Sequence, residues 1–368
     1  MGRQPAAGSR ELALGLLGHV PCGPIYAHGC GRPKNGCGGH GMAPVITKAR
    51  PLTVAGVIGA GIALVTVVFG ITVQPVHAVA PNQGELYVGL DFGLIGHYTN
   101  TGLLIETLNS THGSSKSAGM CFDGSGNLFS AQIQANTVSK FNPAGSLLAA
   151  NFGTGYNQNP ESCAINSAGQ MFVGLTGGTH QVRKLDASGN LLATYSPTVG
   201  PQGTNWIKLG GGDECTLYYT SGGTLIRRFN VCTNSQMSDF ATAPSGPCYS
   251  HLVRPNGEVM VTCSDAVYRF GPSGNLLQTY SGNSLAPSTQ LLVTVNLDPD
   301  NTTFWTADGP SRVFRVDIAT GLQVYTFPIP SIVGGLAVVG EPRQMPNPAP
   351  TPVPTLPALP GPPATGRS

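Results

Sequence analysis

The sequence predicts an all-β protein made of repeated small sheets, and three observations lead to this prediction. Of its 368 residues, 51 are Gly and 31 are Pro, which indicates many turns, and the glycines lack the three-residue period of collagen. Charged residues make up only 10% of the chain, and no long stretch has the composition of a helical bundle. A double-hairpin pattern also recurs roughly every 43–47 residues in the middle of the chain.

The chain begins with a segment, residues 1–41, that is rich in Gly, Pro and Arg without an apolar period, so we expect a disordered leader. Met42 starts a stretch with Lys48 and Arg50 that is typical of the positively charged start of a signal peptide. We therefore expect Met42 to be the true start and the leader to be an upstream over-extension. The three leader cysteines are eight and seven residues apart and lack the paired spacing of structural zinc ligands, so they predict no metal site.

Residues 52–73 form an uncharged apolar run of 22 residues that predicts export. Ala78 and Ala80 supply the small-x-small pattern that a signal peptidase accepts, which favours a cleaved signal peptide over residues 42–80. The alternative is a retained N-terminal membrane anchor, because the run is long enough to span a bilayer and Pro81 is poorly suited to follow a cut. In both cases the rest of the chain lies outside the cytoplasm, and the protein is secreted, periplasmic or on the cell surface.

Residues 81–341 carry the repeat. Each unit starts with an apolar strand, a Gly/Asn/Asp turn and a second β-rich strand, and this half recurs at residues 121–129, 163–173, 207–219, 252–261 and 295–305. A second hairpin follows at residues 138–148, 182–192, 267–277 and 313–322. Turn glycines flanked by alternating apolar and polar residues are typical of antiparallel hairpins. Four strands in ~44 residues match one blade of a β-propeller, which buries its faces by stacking against neighbouring blades around an axis.

The second-hairpin turns predict six blades, and they are centred at Gly102, Gly145, Gly189, 232–234, Gly274 and Gly321. The first of them has no inner strand ahead of it, whereas one apolar strand, residues 332–339, is left over at the far end. We expect this strand to complete the blade begun near Tyr87, because that closes the ring and removes two sheet edges. The predicted fold is a six-bladed β-propeller with four-stranded blades and N/C-terminal strand closure. Residues 342–368 contain ten prolines and predict a disordered tail.

The pattern D-x-x-G-N-[LI]-[YF]-V followed by V-x-[KR]-[FL]-[DN]-x-x-G, seen for example at residues 123–129 and 182–189, resembles the NHL repeat. Over about residues 84–340 the chain resembles six-bladed propellers of the gluconolactonase and streptogramin-lyase type. The resemblance implies the blade geometry and says little about activity. Sites of these types are expected to use a histidine pair with an acid or a carboxylate/amide metal cage, and neither set maps onto this chain residue by residue.

Two pairs of cysteines in the propeller predict disulfides, which an exported chain can form. Cys215 and Cys232 are symmetric about the turn of one hairpin, and Cys248 and Cys263 are symmetric about a turn in the adjacent blade. Residues opposite each other in an antiparallel hairpin lie close to bonding range. The sequence therefore predicts that each pair staples its own hairpin.

The two remaining propeller cysteines, Cys121 and Cys163, occupy matching inner-strand positions of consecutive blades. They can bridge the blade boundary, line the channel as thiols or pack as small apolar side chains. We expect packing, since free cysteine is commonly buried as a small apolar residue.

The propeller contains no G-x-S-x-G elbow, no H-E-x-x-H motif and no P-loop, so no catalytic residue is assigned. Asp298 and Asp300 resemble half of a calcium loop but lack the later glutamate, and we interpret them as a blade turn. No metal or cofactor is predicted. A ligand pocket is expected at one mouth of the channel, walled by the loops that lead into the inner strands. The candidate ligand-binding residues at this mouth are Glu161, Asn205, Trp206, Lys208, Tyr249 and His251.

The charge of the exported part narrows the range of partners. From residue 81 onward, 13 basic and 16 acidic residues give a net charge of −3, which gives no reason to expect nucleic-acid binding. We expect a monomeric, non-enzymatic binding or structural module for a protein, glycan or small-molecule ligand, touching a membrane only through residues 52–73 if they are uncleaved. The alternative is a propeller hydrolase or lyase of lactonase or streptogramin-lyase type, with its site at the channel mouth and a divalent metal such as calcium.

Overall fold

The computed structural model describes residues 80–210, 212–286 and 291–342. The predicted leader, nearly all of the export segment and all but the first residue of the predicted tail lie outside the described residues. Within these ranges, no helix is long and apolar enough to cross a membrane.

The described residues form 25 strands and one short helix, in six groups. Blade 1 begins with β1 (Leu86–Gly89), β2 (Leu94–Tyr98) and β3 (Leu104–Asn109). Blade 2 contains β4 (Ser117–Phe122), β5 (Leu128–Gln132), β6 (Thr137–Phe141) and β7 (Leu147–Phe152), and blade 3 contains β8 (Pro160–Ile165), β9 (Met171–Leu175), β10 (Val182–Leu185) and β11 (Leu191–Tyr195). Blade 4 contains β12 (Ile207–Gly210), β13 (Thr216–Tyr219), β14 (Leu225–Asn230), β15 (Ser235–Gln236) and β16 (Ala241–Thr242). Blade 5 contains β17 (Cys248–Val253), β18 (Val259–Cys263), β19 (Ala266–Phe270) and β20 (Leu276–Ser281), followed by helix α1 (Gly282–Leu285). Blade 6 contains β21 (Leu292–Leu297), β22 (Thr303–Asp308), β23 (Arg312–Asp317) and β24 (Gln323–Pro328), and β25 (Gly335–Val338) follows it.

The six sheets form a ring around a central channel. Each blade is antiparallel. In blades 2 to 6 the strands follow chain order from the channel outward, with the outer position of blade 4 divided between β15 and β16, whereas in blade 1 the innermost strand is β25. The innermost strands of neighbouring blades contact one another around the ring. Strand β25 pairs antiparallel with β1 and places Ala337 opposite Tyr87, so the last strand completes the first blade. The predicted six-bladed β-propeller and its closure by terminal strands are confirmed.

The D-x-x-G-N motif forms the turn between the first two strands of a blade. Asp123 Oδ1 accepts hydrogen bonds from the backbone N–H groups of Ser125 and Asn127, both at 2.9 Å. Gly126 completes this turn with φ of 79°, a conformation that costs glycine little and other residues much more. The motif is thus a local folding signal, which explains why it specifies blade geometry and carries no information about ligands.

The hydrophobic core lies between the blades, in six clusters that each join two neighbouring sheets. Leu252 of blade 5 packs with Val295 of blade 6, and Ala164 of blade 3 packs with Ile207 of blade 4. Because each blade buries its faces only against its neighbours, the fold requires a closed ring.

A buried histidine holds the closing blade together. His97 Nε2 lies 2.9 Å from Glu85 Oε2, and His97 Nδ1 lies 3.2 Å from Glu106 Oε1, so the ring links residues at β1, β2 and β3. The ring also stacks on Tyr87 with a centroid distance of 4.2 Å. Burial acts to raise the pKa of Glu85, but hydrogen bonds from Asn82 and His97 outweigh it and lower that pKa.

The described residues contain three disulfides: Cys121–Cys163, Cys215–Cys232 and Cys248–Cys263. The second joins β13–β14 hairpin ends within blade 4, and the third joins β17 to β18 within blade 5, as the hairpin symmetry predicted. Three bridges in one domain indicate a non-cytosolic protein, because disulfides persist in oxidising compartments.

The bridge between Cys121 and Cys163 differs from the expected packing of free thiols. Cys121 lies two residues before the turn that starts at Asp123, whereas Cys163 lies three residues before the equivalent turn at Asn166. The two positions are therefore not equivalent. Side chains alternate between the faces of a strand, so the offset of one residue turns Cys121 towards blade 3 and Cys163 towards blade 2. The two sulfurs meet at the interface and bond.

Candidate functional site

The channel has two mouths, which differ in what surrounds them. The six innermost strands begin at one end, here called the top mouth, and end at the other, here called the bottom mouth. A cavity of about 580 Å³ opens at the bottom mouth. It is walled by the ends of inner strands, by the first turn of blade 2 and by residues 337–342, which follow and include the end of β25.

Most of the wall of this bottom cavity is apolar. It includes residues of five blades and the Cys121–Cys163 disulfide, and the apolar residues around it are Met120, Phe122, Ile165, Leu209, Leu252, Val253 and Val339. A concave site with apolar walls and a few polar groups is the usual form of a small-molecule site, and the volume falls within the range of about 300–1,000 Å³ found for such sites.

Three hydrogen-bond donors at the bottom mouth meet the carboxylate of Glu341. Its Oε1 accepts a hydrogen bond from the backbone N–H of Leu297 at 2.7 Å. Its Oε2 lies 3.3 Å from Lys208 Nζ and 3.2 Å from Asn296 Nδ2. The carboxylate thus joins the chain after the closing strand to blades 4 and 6.

Two further carboxylates line the bottom cavity, and both have partners within the protein. Asp123 binds the turn described above and lies 3.9 Å from Lys140 Nζ. Glu214 accepts hydrogen bonds from the backbone N–H and the hydroxyl of Ser167, at 2.8 and 2.7 Å. Across the described ranges, no group of three or more His, Cys, Asp or Glu residues is positioned to hold a metal ion.

Four of the six predicted site residues lie at the top mouth: Glu161, Asn205, Trp206 and Tyr249. Burial raises the pKa of Glu161 to about 7, although Lys116 and a hydrogen bond from Thr176 oppose the shift. Trp206 is only 5% exposed and belongs to the protein interior, so its ring is not open for ligand stacking.

Two other top-mouth residues, Asn205 and Tyr249, join blades through their backbones. The backbone carbonyl oxygen of Asn205 accepts a hydrogen bond from the Ser162 hydroxyl, and that of Tyr249 accepts one from the Thr220 hydroxyl. These bonds run between neighbouring blades, so they serve to align the inner strands. The structure therefore places these residues at a mouth, as a set distributed around the ring and engaged with the scaffold.

Lys208 and His251 lie deeper, at the interface of blades 4 and 5. His251 is fully buried, and neither ring nitrogen has a hydrogen-bond partner in the described part of the chain. Burial lowers the pKa of His251 to about 3, the charge of Lys208 acts in the same direction, and the Tyr218 backbone opposes the shift only weakly. His251 is therefore a neutral imidazole at physiological pH. Of the six predicted residues, Lys208 is the one that lines the bottom cavity.

Sequence reasoning missed Glu341 and Asn296. Glu341 was visible as the first acid after the predicted closing strand, but nothing in the sequence shows that the chain turns back across the mouth there. Asn296 sits in the middle of an apolar inner strand, where a polar residue is unusual and signals a buried partner.

Comparisons with known proteins support the fold and leave the function open. The sequence matches no family model and no curated protein. A protein of unknown function from Bacteroides caccae is structurally similar, with 12% sequence identity and a TM-score of 0.57, covering 71% of this chain and 100% of that one. The WD40 β-propeller domain of Doa1 shares 12% identity with a TM-score of 0.52, covering 70% of this chain and 83% of that one. A catalytically inactive virginiamycin B lyase from Staphylococcus aureus, crystallised with quinupristin, shares 14% identity with a TM-score of 0.48, covering 62% and 75%. The resemblance to propellers is thereby confirmed at the level of the fold.

Proposed function

We propose that this protein is an exported, non-enzymatic β-propeller that binds a ligand at the bottom mouth of its channel. The observation that carries the proposal is the cavity of about 580 Å³, whose wall is mostly apolar and includes a few polar side chains, among them Lys208 and Glu341.

The proposal of binding without catalysis is supported by the state of the acids around the cavity. Asp123, Glu214 and Glu341 each accept hydrogen bonds from the protein itself, and no two of them share a partner. General acid–base chemistry requires a titratable group within reach of a bound substrate. Groups that are committed to turns and blade contacts fit a structural role better.

Export is supported by two independent features. The three disulfides require an oxidising compartment during folding. Residues 52–73 form an apolar run behind two basic residues, which is the order of a signal peptide or an N-terminal anchor. N-terminal sequencing of the protein from cell fractions tests this part: a start near residue 79 or 81 indicates cleavage, and recovery in the cytosol contradicts export.

The binding site is tested by filling the cavity. Gly124 lines the cavity mouth and has open space where a Cβ would be, so Gly124→Trp blocks the mouth without disturbing the fold. Gly113 also has open space and does not line the cavity, which makes Gly113→Trp a matched control. Fluorescence titration of the full-length protein with Nile red, an uncharged apolar probe, measures the affinity of each.

We expect wild type and Gly113→Trp to bind Nile red with equal affinity, and Gly124→Trp to bind at least about tenfold more weakly because the ring occupies the apolar space. The comparison between the two tryptophan variants cancels any binding of the dye elsewhere on the chain. Equal affinity of both variants, or no binding to wild type, contradicts the proposal.

A further inference from the structure

We propose that the bottom cavity binds the carboxylate of an apolar organic acid, and that Glu341 occupies the carboxylate position while no ligand is bound. This inference rests on the proposed function, since it names the chemical class of the ligand and the group that recognises it. It adds a competing group within the protein itself.

The site is a cradle of three donors: Lys208 Nζ, Asn296 Nδ2 and the backbone N–H of Leu297. Each donor faces the Glu341 carboxylate at a hydrogen-bonding distance, 3.3, 3.2 and 2.7 Å respectively. The backbone donor meets one oxygen and the two side chains meet the other, so the cradle matches the two oxygens of a carboxylate. One of the three donors is charged, which makes this an interaction of the charge-assisted kind.

The donors belong to the scaffold and Glu341 does not. Lys208 lies on an inner strand of blade 4, and Asn296 and Leu297 lie on an inner strand of blade 6. Glu341 lies beyond the last residue of β25, outside regular structure. The donors are therefore held by strands, whereas their present acceptor lies outside the strands and has one backbone hydrogen bond, from its N–H to Val338.

The cradle also requires an acceptor. Asn296 is 3% exposed, and the backbone of Leu297 is buried with it. A buried donor without a partner costs about 1–3 kcal/mol in general, so water or a ligand acceptor takes the place of Glu341 when it leaves. Because Lys208 contributes a positive charge, a carboxylate replaces Glu341 better than a neutral carbonyl group does.

The rest of the ligand is indicated by the adjoining wall. Lys208 and Glu341 line the cavity together with Leu252, Val253 and the Cys121–Cys163 disulfide. A ligand that places its carboxylate on the cradle therefore extends an apolar chain or ring into the cavity. The chemical class is a monocarboxylic acid with an apolar body.

The test compares octanoate with octanamide, which has the same chain and no charge, by calorimetric titration of the full-length protein. Glu341→Gln removes the competing carboxylate and presents an amide that bonds Lys208 poorly. Lys208→Met removes the charged donor and keeps the apolar stem. Asp239→Asn is the control, because Asp239 pairs with Arg227 and does not line the cavity, so the change removes one carboxylate charge away from the site. Thermal unfolding of each unliganded variant reports its stability separately.

We expect Glu341→Gln to bind octanoate about tenfold more tightly than wild type does, since the internal competitor is gone, while octanamide affinity changes less than about twofold. Lys208→Met is expected to lose the preference for the acid, and Asp239→Asn to behave as wild type. If octanoate and octanamide bind with equal affinity and Glu341→Gln leaves both unchanged, the cavity binds apolar ligands without a carboxylate cradle, and this inference fails alone. If Glu341→Gln only lowers the unfolding temperature, Glu341 is a structural tie and the inference also fails. If neither probe binds any variant, the proposed function fails with it.

Discussion

The disulfide between Cys121 and Cys163 offers a direct test of how the ring is stabilised, because it is the one bridge in the described residues that joins two blades. The perturbation is the double substitution Cys121→Ala and Cys163→Ala, with the other cysteines unchanged. The residues are 42 positions apart, and cross-linking a loop of that length lowers the entropy of the unfolded chain by an amount worth about 4 kcal/mol at 25 °C.

A matched control is available in Cys248 and Cys263, which are also buried but only 15 positions apart. The same relation gives about 3 kcal/mol for that loop. Both double substitutions remove two buried sulfurs, so the packing losses are similar and largely cancel in the comparison. The remaining difference of about 1 kcal/mol reflects loop length.

Urea unfolding of the full-length protein measures the free energy of unfolding of each variant. We expect the inter-blade variant to lose more stability than the hairpin variant. We also expect its free energy of unfolding to fall more steeply with urea concentration than that of the hairpin variant, because its unfolded chain expands more. If the hairpin variant loses as much stability as the inter-blade variant, or more, loop length does not determine these contributions and the reasoning is refuted.

Three further predictions concern ionisable groups. Hydrogen bonds from Arg269 and the charge of Arg254 outweigh burial and lower the pKa of Glu258 from 4.5 to about 2. The free energy of unfolding of wild type should therefore exceed that of Glu258→Gln by about 3 kcal/mol above pH 5, and the difference should disappear between about pH 4.5 and 2. Urea unfolding measures both proteins, and parallel pH profiles contradict the assignment. Burial raises the pKa of Glu161 from 4.5 to about 7, so this carboxyl lowers the stability of the wild type as the pH rises. The free energy of unfolding of Glu161→Gln should equal that of wild type at pH 4 and exceed it by about 2–3 kcal/mol at pH 8. A constant difference between pH 4 and pH 8 would count against the raised pKa. His97→Gln removes the ring that bonds both Glu85 and Glu106 and should lower the free energy of unfolding by about 3 kcal/mol at pH 7, as measured by thermal unfolding; a loss below about 1 kcal/mol shows that these bonds contribute little.

The fold was predictable because its signals are local. Each D-x-x-G-N turn is closed by its own residues, as the bonds of Asp123 to Ser125 and Asn127 show, so the motif reports a hairpin wherever it occurs. The spacing of hairpins then fixes the number of blades. The closing strand was also predictable. The repeat leaves one unpaired strand edge at each of its ends, and pairing the last strand with the first removes both edges.

The candidate site was harder to predict because its residues come together through contacts between blades. From the repeat alone, Cys121 and Cys163 were expected to occupy equivalent positions. An offset of one residue relative to the following turn places their side chains on opposite faces of their strands, which face each other across the blade boundary. The chosen mouth also differs from the end that holds the described cavity. Of the predicted residues only Lys208 reaches that cavity, and it does so with a partner, Glu341, from outside the repeat.

Under the proposal that the bottom cavity binds a carboxylate, ring closure and ligand binding depend on the same few atoms at the bottom mouth. Glu341 ties the chain after the closing strand to blades 4 and 6. A carboxylate ligand in its place would supply the same hydrogen bonds to the donors and would release Glu341 from this tie, whereas Val339 stays bonded to Glu85. Ligand at a hundred times its dissociation constant stabilises a protein by about 2.7 kcal/mol. The measured dissociation constant would be a net value here, because it contains the free energy of breaking the hydrogen bonds of Glu341. Occupancy of the channel and the position of the segment after β25 are therefore thermodynamically coupled, because each state of the cradle excludes the other.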